Sequence, residues 1–336
     1  MRILVWHVHG SWTTSFVQGG HEYLLPVLAD RGPDGRGRAR TWDWPASAVE
    51  VTPEELADVD VDVIVLQRPQ DLELARAWTL RRPGVDVPAV YVEHNTPGPS
   101  AATTRHPLAD QSAIPIVHVT HFNRLFWDCG SARTEVVEHG IVDPGHSYSG
   151  EWARAAVVVN DPVRRWRAVG TDLLPALSRA APLDVFGMNV HDLPDRLAVA
   201  PERLWTFEDL PQTAMHREVA RRRVYVHTSR WTSLGLSLLE AMHLGLPVVA
   251  LAATEAVRAV PPDAGVVSTR LEDLTAAVWR FVHDPAEAQV VGAAARAAAL
   301  SRYGLSRFLA DWDKLLSEAA ASAGNAVEPA RTPAAG

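Results

Sequence analysis

The first half of the chain alternates short apolar runs with segments whose apolar residues recur at helical spacing. The short runs are rich in Val and Ile, and several are apolar throughout, which is typical of parallel strands covered on both faces. This alternation predicts βαβ units in a doubly wound α/β domain. Strands are predicted at 2–8, 61–67, 89–93, 114–120 and 134–140, and helices at 20–31, 71–81 and 121–130.

The alternation stops at 142–152, where Pro, Gly and Ser are concentrated, and then begins again. We therefore predict two Rossmann-like domains, 1–148 and 149–304, with ligands bound in a central cleft at the carboxyl ends of their strands. Strands of the second domain are predicted at 155–160, 183–187, 224–229, 246–251 and 265–268, and helices at 170–180, 211–221, 235–244, 271–283 and 286–302.

The C-terminal part of the chain contains one more helical pattern, at 305–321. It is compatible with packing on either domain or across both. Residues 322–336 contain few large apolar side chains, and this composition predicts a disordered tail.

Composition narrows the possible partners. The 336 residues are 47% hydrophobic and carry a net charge of −8, so a nucleic-acid partner is not expected. Cys129 is the only cysteine, which rules out an intrachain disulfide and a Cys-based zinc site. No segment has the roughly 20 apolar residues of a membrane span, and the start lacks signal-peptide features. We expect a cytoplasmic protein without a transmembrane segment.

The segment "SRWTSLGLSLLEAMHLGLPVVA", 229–250, contains the densest candidate chemistry. A predicted strand leads through a turn into a helix, and the small residues Ser233 and Gly235 leave backbone N–H groups open at the helix start. Such a start binds phosphate through these donors and the helix dipole. Glu240 lies more than a turn into the helix, where a carboxylate suits the vicinal hydroxyls of a ribose. The alternative is a solvated surface glutamate.

This segment resembles the signature of retaining GT-B glycosyltransferases of the family 4 type, the glycosyl transferases group 1. In that family a strand ending in Ser is followed by Glu, seven residues, a second Glu, Ala-Met and Gly-x-Pro-Val. The resemblance implies that Glu240 holds the ribose of a nucleotide-sugar donor. Thr232 stands where the family has the first Glu, which contacts the donor sugar. The implied substrate-binding residues are Thr232, Ser233, Leu234, Gly235, Leu236 and Glu240.

Two features of the first half extend the resemblance. Gly19 and Gly20 resemble the family's Gly-Gly loop, which precedes a helix and lies against donor phosphates and acceptor, and this implies a substrate-binding role for both. His94 follows the predicted strand 89–93 and matches a family histidine that contacts the donor sugar near its anomeric centre. The resemblance therefore implies a catalytic role for His94.

The loop after strand 155–160 departs from the family. Asn160-Asp161 stands where the family has Gly-Arg, and Val169 replaces a Lys; in the family these two cations hold the donor diphosphate. His139 likewise replaces the usual Asn at the end of the first domain. Since Lys314 is the only lysine, any phosphate clamp here must use arginine. Three arginines lie in this loop: Arg164, Arg165 and Arg167. We expect at least one of them to take this catalytic role. The alternative is that all three are solvated side chains of a surface loop.

The leading hypothesis is a hexosyltransferase-type glycosyltransferase that moves a sugar from a nucleotide-sugar to a hydroxyl-bearing acceptor, with retention of configuration. The nucleotide-sugar is a cosubstrate, and no metal or other cofactor is expected. The alternative is an inactive GT-B protein that binds a nucleotide-sugar or glycan, since Thr232 and Val169 remove two charges from the donor site.

Three other classes are disfavoured. A sugar-nucleotide epimerase of GT-B architecture needs a carboxylate acid–base pair, and no clear pair is present. A dinucleotide dehydrogenase needs G-x-G-x-x-G between a strand and a helix, and this motif is missing. A metal site is not expected, because the pairs His7/His9 and His118/His121 have no clear set of acidic partners.

Overall fold

The computed structural model describes residues 1–98 and 100–325, with the side chains of 322–325 left aside. The chain forms two compact units: unit 1 contains Met1–Glu138 and the residues from Phe308 onward, and unit 2 contains His139–Arg307. The segment 139–148 thus belongs to unit 2, so the boundary lies earlier than the predicted one at 148.

Unit 1 contains a parallel sheet in which the strand order reverses beside its first strand. The order is β3-β2-β1-β4-β5-β6-β7. The strands are β1 (Arg2–Val5), β2 (Glu22–Pro26), β3 (Ala48–Val51), β4 (Val63–Leu66), β5 (Ala89–Glu93), β6 (Ile116–His118) and β7 (Thr134–Val136). The helices are α1 (Gly10–Phe16), α2 (Pro53–Leu56), α3 (Asp71–Thr79) and α4 (His121–Phe126). In such sheets ligands bind where the order reverses, at the carboxyl ends of the strands.

Unit 2 repeats this plan with the order β10-β9-β8-β11-β12-β13, all parallel. Its strands are β8 (Trp152–Val158), β9 (Leu183–Gly187), β10 (Leu204–Glu208), β11 (Arg222–His227), β12 (Val248–Leu251) and β13 (Gly265–Ser268). Its helices are α5 (Pro162–Arg165), α6 (Leu174–Ala180), α7 (Leu193–Leu197), α8 (Gln212–Ala220), α9 (Leu236–Leu244), α10 (Ala256–Ala259), α11 (Leu271–His283) and α12 (Pro285–Tyr303). The last helix, α13 (Leu305–Asn325), begins in unit 2 and belongs to unit 1 from Phe308 onward. The two sheets confirm the predicted doubly wound α/β class.

The predicted helix at 20–31 is wrong. Tyr23, Leu24 and Leu25 are buried in strand β2, which pairs with β1 on one side and β3 on the other. A continuous apolar run suits a strand covered on both faces, and it also fits a helix of similar length, so the pattern alone did not separate them. As a consequence Gly19 and Gly20 connect α1 to the amino end of β2, and they do not open a helix.

Helix α13 continues to Asn325, beyond the predicted end at 321. Residues 326–336 of the predicted disordered tail lie outside the described residues. From Phe308 onward the helix belongs to unit 1, where Trp312 packs edge-on against Trp12 and Phe16 of α1, at 5.6 and 5.2 Å between ring centroids. Buried aromatic rings in this geometry add attraction beyond their hydrophobic area.

Helix α9 is buried from Leu238 to Leu244 and ends at Gly245, whose φ of 94° is in the left-handed region that favours glycine. Gly292 of α12 packs directly on this end. A Cβ atom at position 292 would overlap the backbone carbonyl of Gly245. The absence of a side chain at Gly292 therefore allows α12 to lie close enough to hold the C-terminal end of α9.

We predict that Gly292→Ala lowers the free energy of unfolding of unit 2 by about 1–3 kcal/mol, because overpacking forces backbone shifts. Helix propensity alone would raise it by about 1 kcal/mol. Urea unfolding followed by circular dichroism measures the difference. Ala293→Gly, at the exposed neighbouring position, is the control and should show only the propensity loss. A more stable Gly292→Ala variant would contradict the close packing.

Candidate functional site

The loops after β8 and β11 leave the sheet of unit 2 on either side of the point where its strand order reverses. Hydrogen bonds join them into one structure. The Thr228 hydroxyl donates to the carbonyl of Val169 at 2.7 Å, and the N–H groups of Arg230 and Trp231 both donate to the carbonyl of Ala168 at 2.9 and 3.0 Å. Any ligand at this sheet edge therefore meets both loops together.

The start of α9 lies in the second of these loops, as the sequence predicted. Gly235 is the N-cap residue, and no side chain caps the helix. A Cβ atom at position 235 would overlap the ring of His227, the last residue of β11, so glycine allows the helix to begin this close to the strand. The open N–H groups and the helix dipole make this start an anion-binding position.

The other predicted residues of this segment surround the same helix start. Ser233 and Leu234 are buried just before it, and Leu236 is its first residue. Thr232 is half-buried and makes no hydrogen bond to any described residue. The structure thus brings these four residues together with Gly235, and their contact with a substrate stays a prediction.

His227 is a residue of this site that the sequence did not indicate, because a histidine at a strand end matches no motif. Its ring stacks on Tyr225 with 6.4 Å between centroids. Burial lowers the pKa of His227 to about 4, so the imidazole is neutral at physiological pH. The histidine that packs against the start of α9 therefore carries no charge.

Glu240 is buried, which excludes the alternative of a solvated surface glutamate. Helix α8 supplies a partner for each carboxylate oxygen: Gln212 Nε2 donates to Oε1 at 2.9 Å, and His216 Nε2 lies 3.2 Å from Oε2. An ionised carboxylate has about four acceptor positions, so each oxygen keeps room for one further donor. Gln212 and His216 were missed because they lie far from Glu240 along the chain and carry no motif.

The three predicted arginines after β8 have different surroundings. Arg164 is paired with Asp161 at 2.6 Å and Arg167 with Asp172 at 3.1 Å, and both side chains are more than 70% exposed. Arg165 is half-buried, and its side chain has no hydrogen-bond or ion-pair partner within 1–98 and 100–325. Burial, and then the charge of Arg164, lower the pKa of Arg165, although a guanidinium stays protonated. Arg165 is therefore the cation most available to an anionic ligand.

Val169 is almost fully buried, so this arrangement has no space for a solvated cation at the position where the family has Lys. A different arginine occupies the region. Arg230 donates two hydrogen bonds to Asp172, at 2.6 and 2.9 Å, and one to the carbonyl of Arg167 at 3.0 Å. This cation was not singled out from the sequence, and it ties the loop after β11 to the loop after β8.

In unit 1, His94 directly follows β5, as predicted. Its ring lies 4.0 Å from that of His9, centroid to centroid, and edge-on to Trp12 at 5.1 Å. Burial, followed by the charges of Arg68 and Arg36, lowers the pKa of His9 to about 4. The two histidines thus meet at the carboxyl ends of β1 and β5, and His9 is neutral there.

The loop after His94 is held by the buried carboxylate of Glu93. This group accepts a hydrogen bond from the backbone N–H of Asn95 at 2.7 Å, and it lies 3.1 Å from Nε2 of His106. Gly19 and Gly20 are elsewhere, beside the amino end of β2. Their predicted place at the start of a helix is wrong, because the apolar residues after them form a strand, and their substrate-binding role stays a prediction.

The described part of the chain has neither a metal-binding cluster nor a membrane-spanning helix. No group of three or more His, Cys, Asp or Glu side chains there has an arrangement that could hold a metal ion. No helix there combines the length and the apolar character required to cross a membrane.

The neutral state of His227 predicts that unit 2 loses stability in acid. An unfolded histidine has a pKa near 6.5 and folded His227 one of about 4, so the unfolded chain binds more protons between these values. The contribution of His227 is complete above about pH 6.5 and falls as the pH approaches 4. His227→Gln should flatten this slope by up to about 1.4 kcal/mol per pH unit.

Urea unfolding at a series of pH values measures this slope. Above pH 7 the wild type and His227→Gln should have parallel profiles, because His227 is neutral in both states there, and this range is the internal control. Parallel profiles down to pH 4 as well would contradict a buried, neutral His227.

Comparison with known families gives one match in sequence. Residues 204–298, which run from β10 into α12, match the family model described as "Glycosyl transferases group 1". This range contains the start of α9, Glu240 and both of its partners on α8. No curated protein matches the chain.

Several solved structures have the same fold. Sucrose-phosphate synthase from Thermosynechococcus elongatus matches with a TM-score of 0.74 and 14% identity, over 96% of this chain and 100% of that one. Anabaena HepE in complex with UDP and glucose matches with a TM-score of 0.66 and 15% identity, over 95% and 100%. A glycosyltransferase from Rickettsia africae matches with a TM-score of 0.65 and 12% identity, over 95% and 97%. The chain thus has the GT-B fold, and its residues 204–298 match the family model of the glycosyl transferases group 1.

Proposed function

We propose that this protein is a hexosyltransferase-type glycosyltransferase whose unit 2 binds a nucleotide-sugar donor and transfers the sugar to a hydroxyl group of an acceptor. One observation carries the proposal: the uncapped start of α9, the buried carboxylate of Glu240 and the unpartnered Arg165 belong to adjoining elements at one sheet edge. The similarly folded HepE was solved in complex with UDP-glucose, which supports a donor of this class.

In the proposed donor complex the diphosphate accepts hydrogen bonds from the backbone at the start of α9 and from Arg165. The ribose hydroxyls donate to the acceptor positions that Gln212 and His216 leave open on Glu240. These two α8 residues fix the orientation of the carboxylate, so the nucleotide meets a preformed set of donors and acceptors.

Transfer in this site is proposed to proceed with retention and without a metal ion. The negative charge that develops on the leaving diphosphate is stabilised by the helix start and Arg165. A phosphate oxygen of the leaving group takes the proton of the acceptor hydroxyl. Thr232 offers a hydroxyl to the sugar and no negative charge to an oxocarbenium-like transition state. In unit 1, His94 is the proposed catalytic residue on the basis of the family resemblance.

A second candidate function is binding of the nucleotide-sugar without transfer. The specific observation in its favour is that two family charges are missing, with Thr232 neutral and Val169 buried. Arg165 supplies a cation without an ion-pair partner in the loop after β8, which is the reason to prefer the active enzyme.

The proposal is tested by screening the purified protein against UDP-, GDP-, ADP- and TDP-sugars. Thermal stabilisation by one donor, together with release of its nucleoside diphosphate in the presence of hydroxyl-bearing acceptors, is the expected result. Stabilisation without release would favour the binding protein. Failure of every donor to stabilise the protein would overturn the donor site itself.

We predict that Arg165→Gln lowers the turnover number by about 10²–10³-fold, the usual effect of removing one donor that stabilises transition-state charge. Arg164→Gln and Arg167→Gln are matched controls from the same loop. Both should change turnover only a few-fold, because each guanidinium is already paired with an aspartate and mostly exposed. Small and equal losses in all three variants would show that the diphosphate is held elsewhere.

We predict that Glu240→Gln weakens nucleotide binding by about 1–3 kcal/mol, as loss of hydrogen bonds to a charged group does. The preferred nucleotide and its 2′-deoxy analogue are compared by calorimetry in both proteins. The wild type should prefer the ribose form, and the variant should lose most of that preference. An equal preference in both proteins would refute the contact between Glu240 and the ribose, whatever the variant does to stability.

A further inference from the structure

The loop between β2 and β3 of unit 1, together with His7 after β1, lines an open pocket of about 430 Å³. We call it the arginine pocket. Four arginines and one carboxylate line it, together with a histidine: Arg31, Arg36, Arg38, Arg40, Asp30 and His7. The whole chain carries a net charge of −8, so this concentration of positive charge is a local feature and does not reflect a generally basic surface.

Two of the four arginines hold the loop in place. Arg31 donates to both oxygens of Glu50, at 2.8 and 3.0 Å. Arg38 donates to the backbone carbonyls of Trp44 and Pro45, at 2.6 and 2.9 Å, and its own N–H donates to Glu50 at 2.9 Å. The guanidinium groups of Arg31 and Arg38 thus form hydrogen bonds within the protein, and both side chains line the pocket.

The side chains of the other two arginines are available to a ligand. Arg36 and Arg40 are exposed, and neither side chain has a hydrogen-bond or ion-pair partner among the described residues. The backbone of Arg36 is nevertheless fixed, because it forms a bridge with Val27 at the end of β2. Two like charges on one pocket repel each other, and a bound anion would remove that repulsion. The planar guanidinium group binds two oxygens of a carboxylate or phosphate at once.

The arginine pocket adjoins the carboxyl end of β1. His7, which lines it, is held there by a hydrogen bond between Nδ1 and the carbonyl of Gly37 at 3.0 Å. The positive charge of Arg36 acts on both His7 and His9, so the guanidinium lies close to the strand end that carries them. His9 in turn contacts His94, the proposed catalytic residue. The pocket is therefore next to the edge of unit 1 where the sheet order reverses.

We propose that the arginine pocket binds an oxyanion, a carboxylate or phosphate group, and that this group belongs to the sugar acceptor. The acceptor is then an anionic molecule, recognised by Arg36 and Arg40. The identification of the ligand as the acceptor rests on the proposed function, whereas the binding of an oxyanion at this pocket does not.

The first test titrates the full-length protein with inorganic phosphate by calorimetry at constant ionic strength, with and without saturating UDP. The double variant R36Q/R40Q is compared with R76Q, which removes an arginine of α3 in the same unit that is also exposed and whose side chain also has no partner among the described residues. Phosphate should bind the wild type and R76Q equally and bind R36Q/R40Q at least about 10-fold more weakly, as expected for loss of charge-assisted hydrogen bonds. Thermal melts confirm that the variants fold.

Equal phosphate affinity in R36Q/R40Q and R76Q would overturn the pocket, as would binding that saturating UDP abolishes or no binding to the wild type. The phosphate titration does not depend on donor binding, so a protein that binds phosphate and no nucleotide-sugar would keep the pocket and refute only the proposed function.

A second measurement assigns the anion to an acceptor. Glucose 6-phosphate, glucuronate and glucose are compared as competitors of phosphate and as acceptors in the transfer assay. The two anionic sugars should compete with phosphate for the pocket and should accept the transferred sugar. Their KM values as acceptors should rise in R36Q/R40Q. The anionic sugar with the lower KM shows whether the pocket prefers a phosphate or a carboxylate. Glucose as the best acceptor, with a KM unaffected by R36Q/R40Q, would refute an anionic acceptor.

Discussion

Two backbone hydrogen bonds to one carbonyl oxygen, that of Ala168, determine how the candidate donor site of unit 2 is assembled. They join the loops after β8 and β11, which the reversal of strand order would otherwise allow to diverge. Each loop brings one part of the chemistry: the first carries Arg165, and the second leads into the uncapped start of α9. The hydrogen bonds of Thr228 to Val169 and of Arg230 to Asp172 add to this connection.

The charges around this connection are arranged differently from those of the family that the chain resembles. A buried valine occupies the position of the family lysine, and the loop is held instead by the pairing of Arg230 with Asp172. Arg230 is thus held in an ion pair within the protein, while the side chain of Arg165 has no such partner among the described residues. Arg31 and Arg38 in unit 1 likewise hold a loop while their neighbours stay available. In a chain with a single lysine, arginine both stabilises loops and remains available to ligands. The hydrogen-bond and ion-pair partners of each arginine show which of these two roles it has.

Local features of the site were predictable from sequence, because they depend on residues close together in the chain. The start of α9 follows from small residues before an apolar helix, and its end from Gly245. The partners of Glu240 were not predictable, since Gln212 and His216 reach it only through the packing of α8 on α9. The choice of Arg165 among three arginines also depends on ion pairs that spacing does not reveal. The mistake at Gly19 and Gly20 has a different origin, because an apolar run of this length fits a strand as well as a helix.

Helix α9 is in contact with a backbone or ring at each end through a glycine: Gly235 lies against His227, and Gly245 against Gly292. Both ends of the helix therefore lie in close contact with a neighbouring element. Because its first N–H groups and Glu240 lie on this one helix, the helix itself sets the separation between them. A nucleotide that binds to both loses its own conformational freedom but does not have to order the protein, so the entropic cost of the complex falls mainly on the ligand.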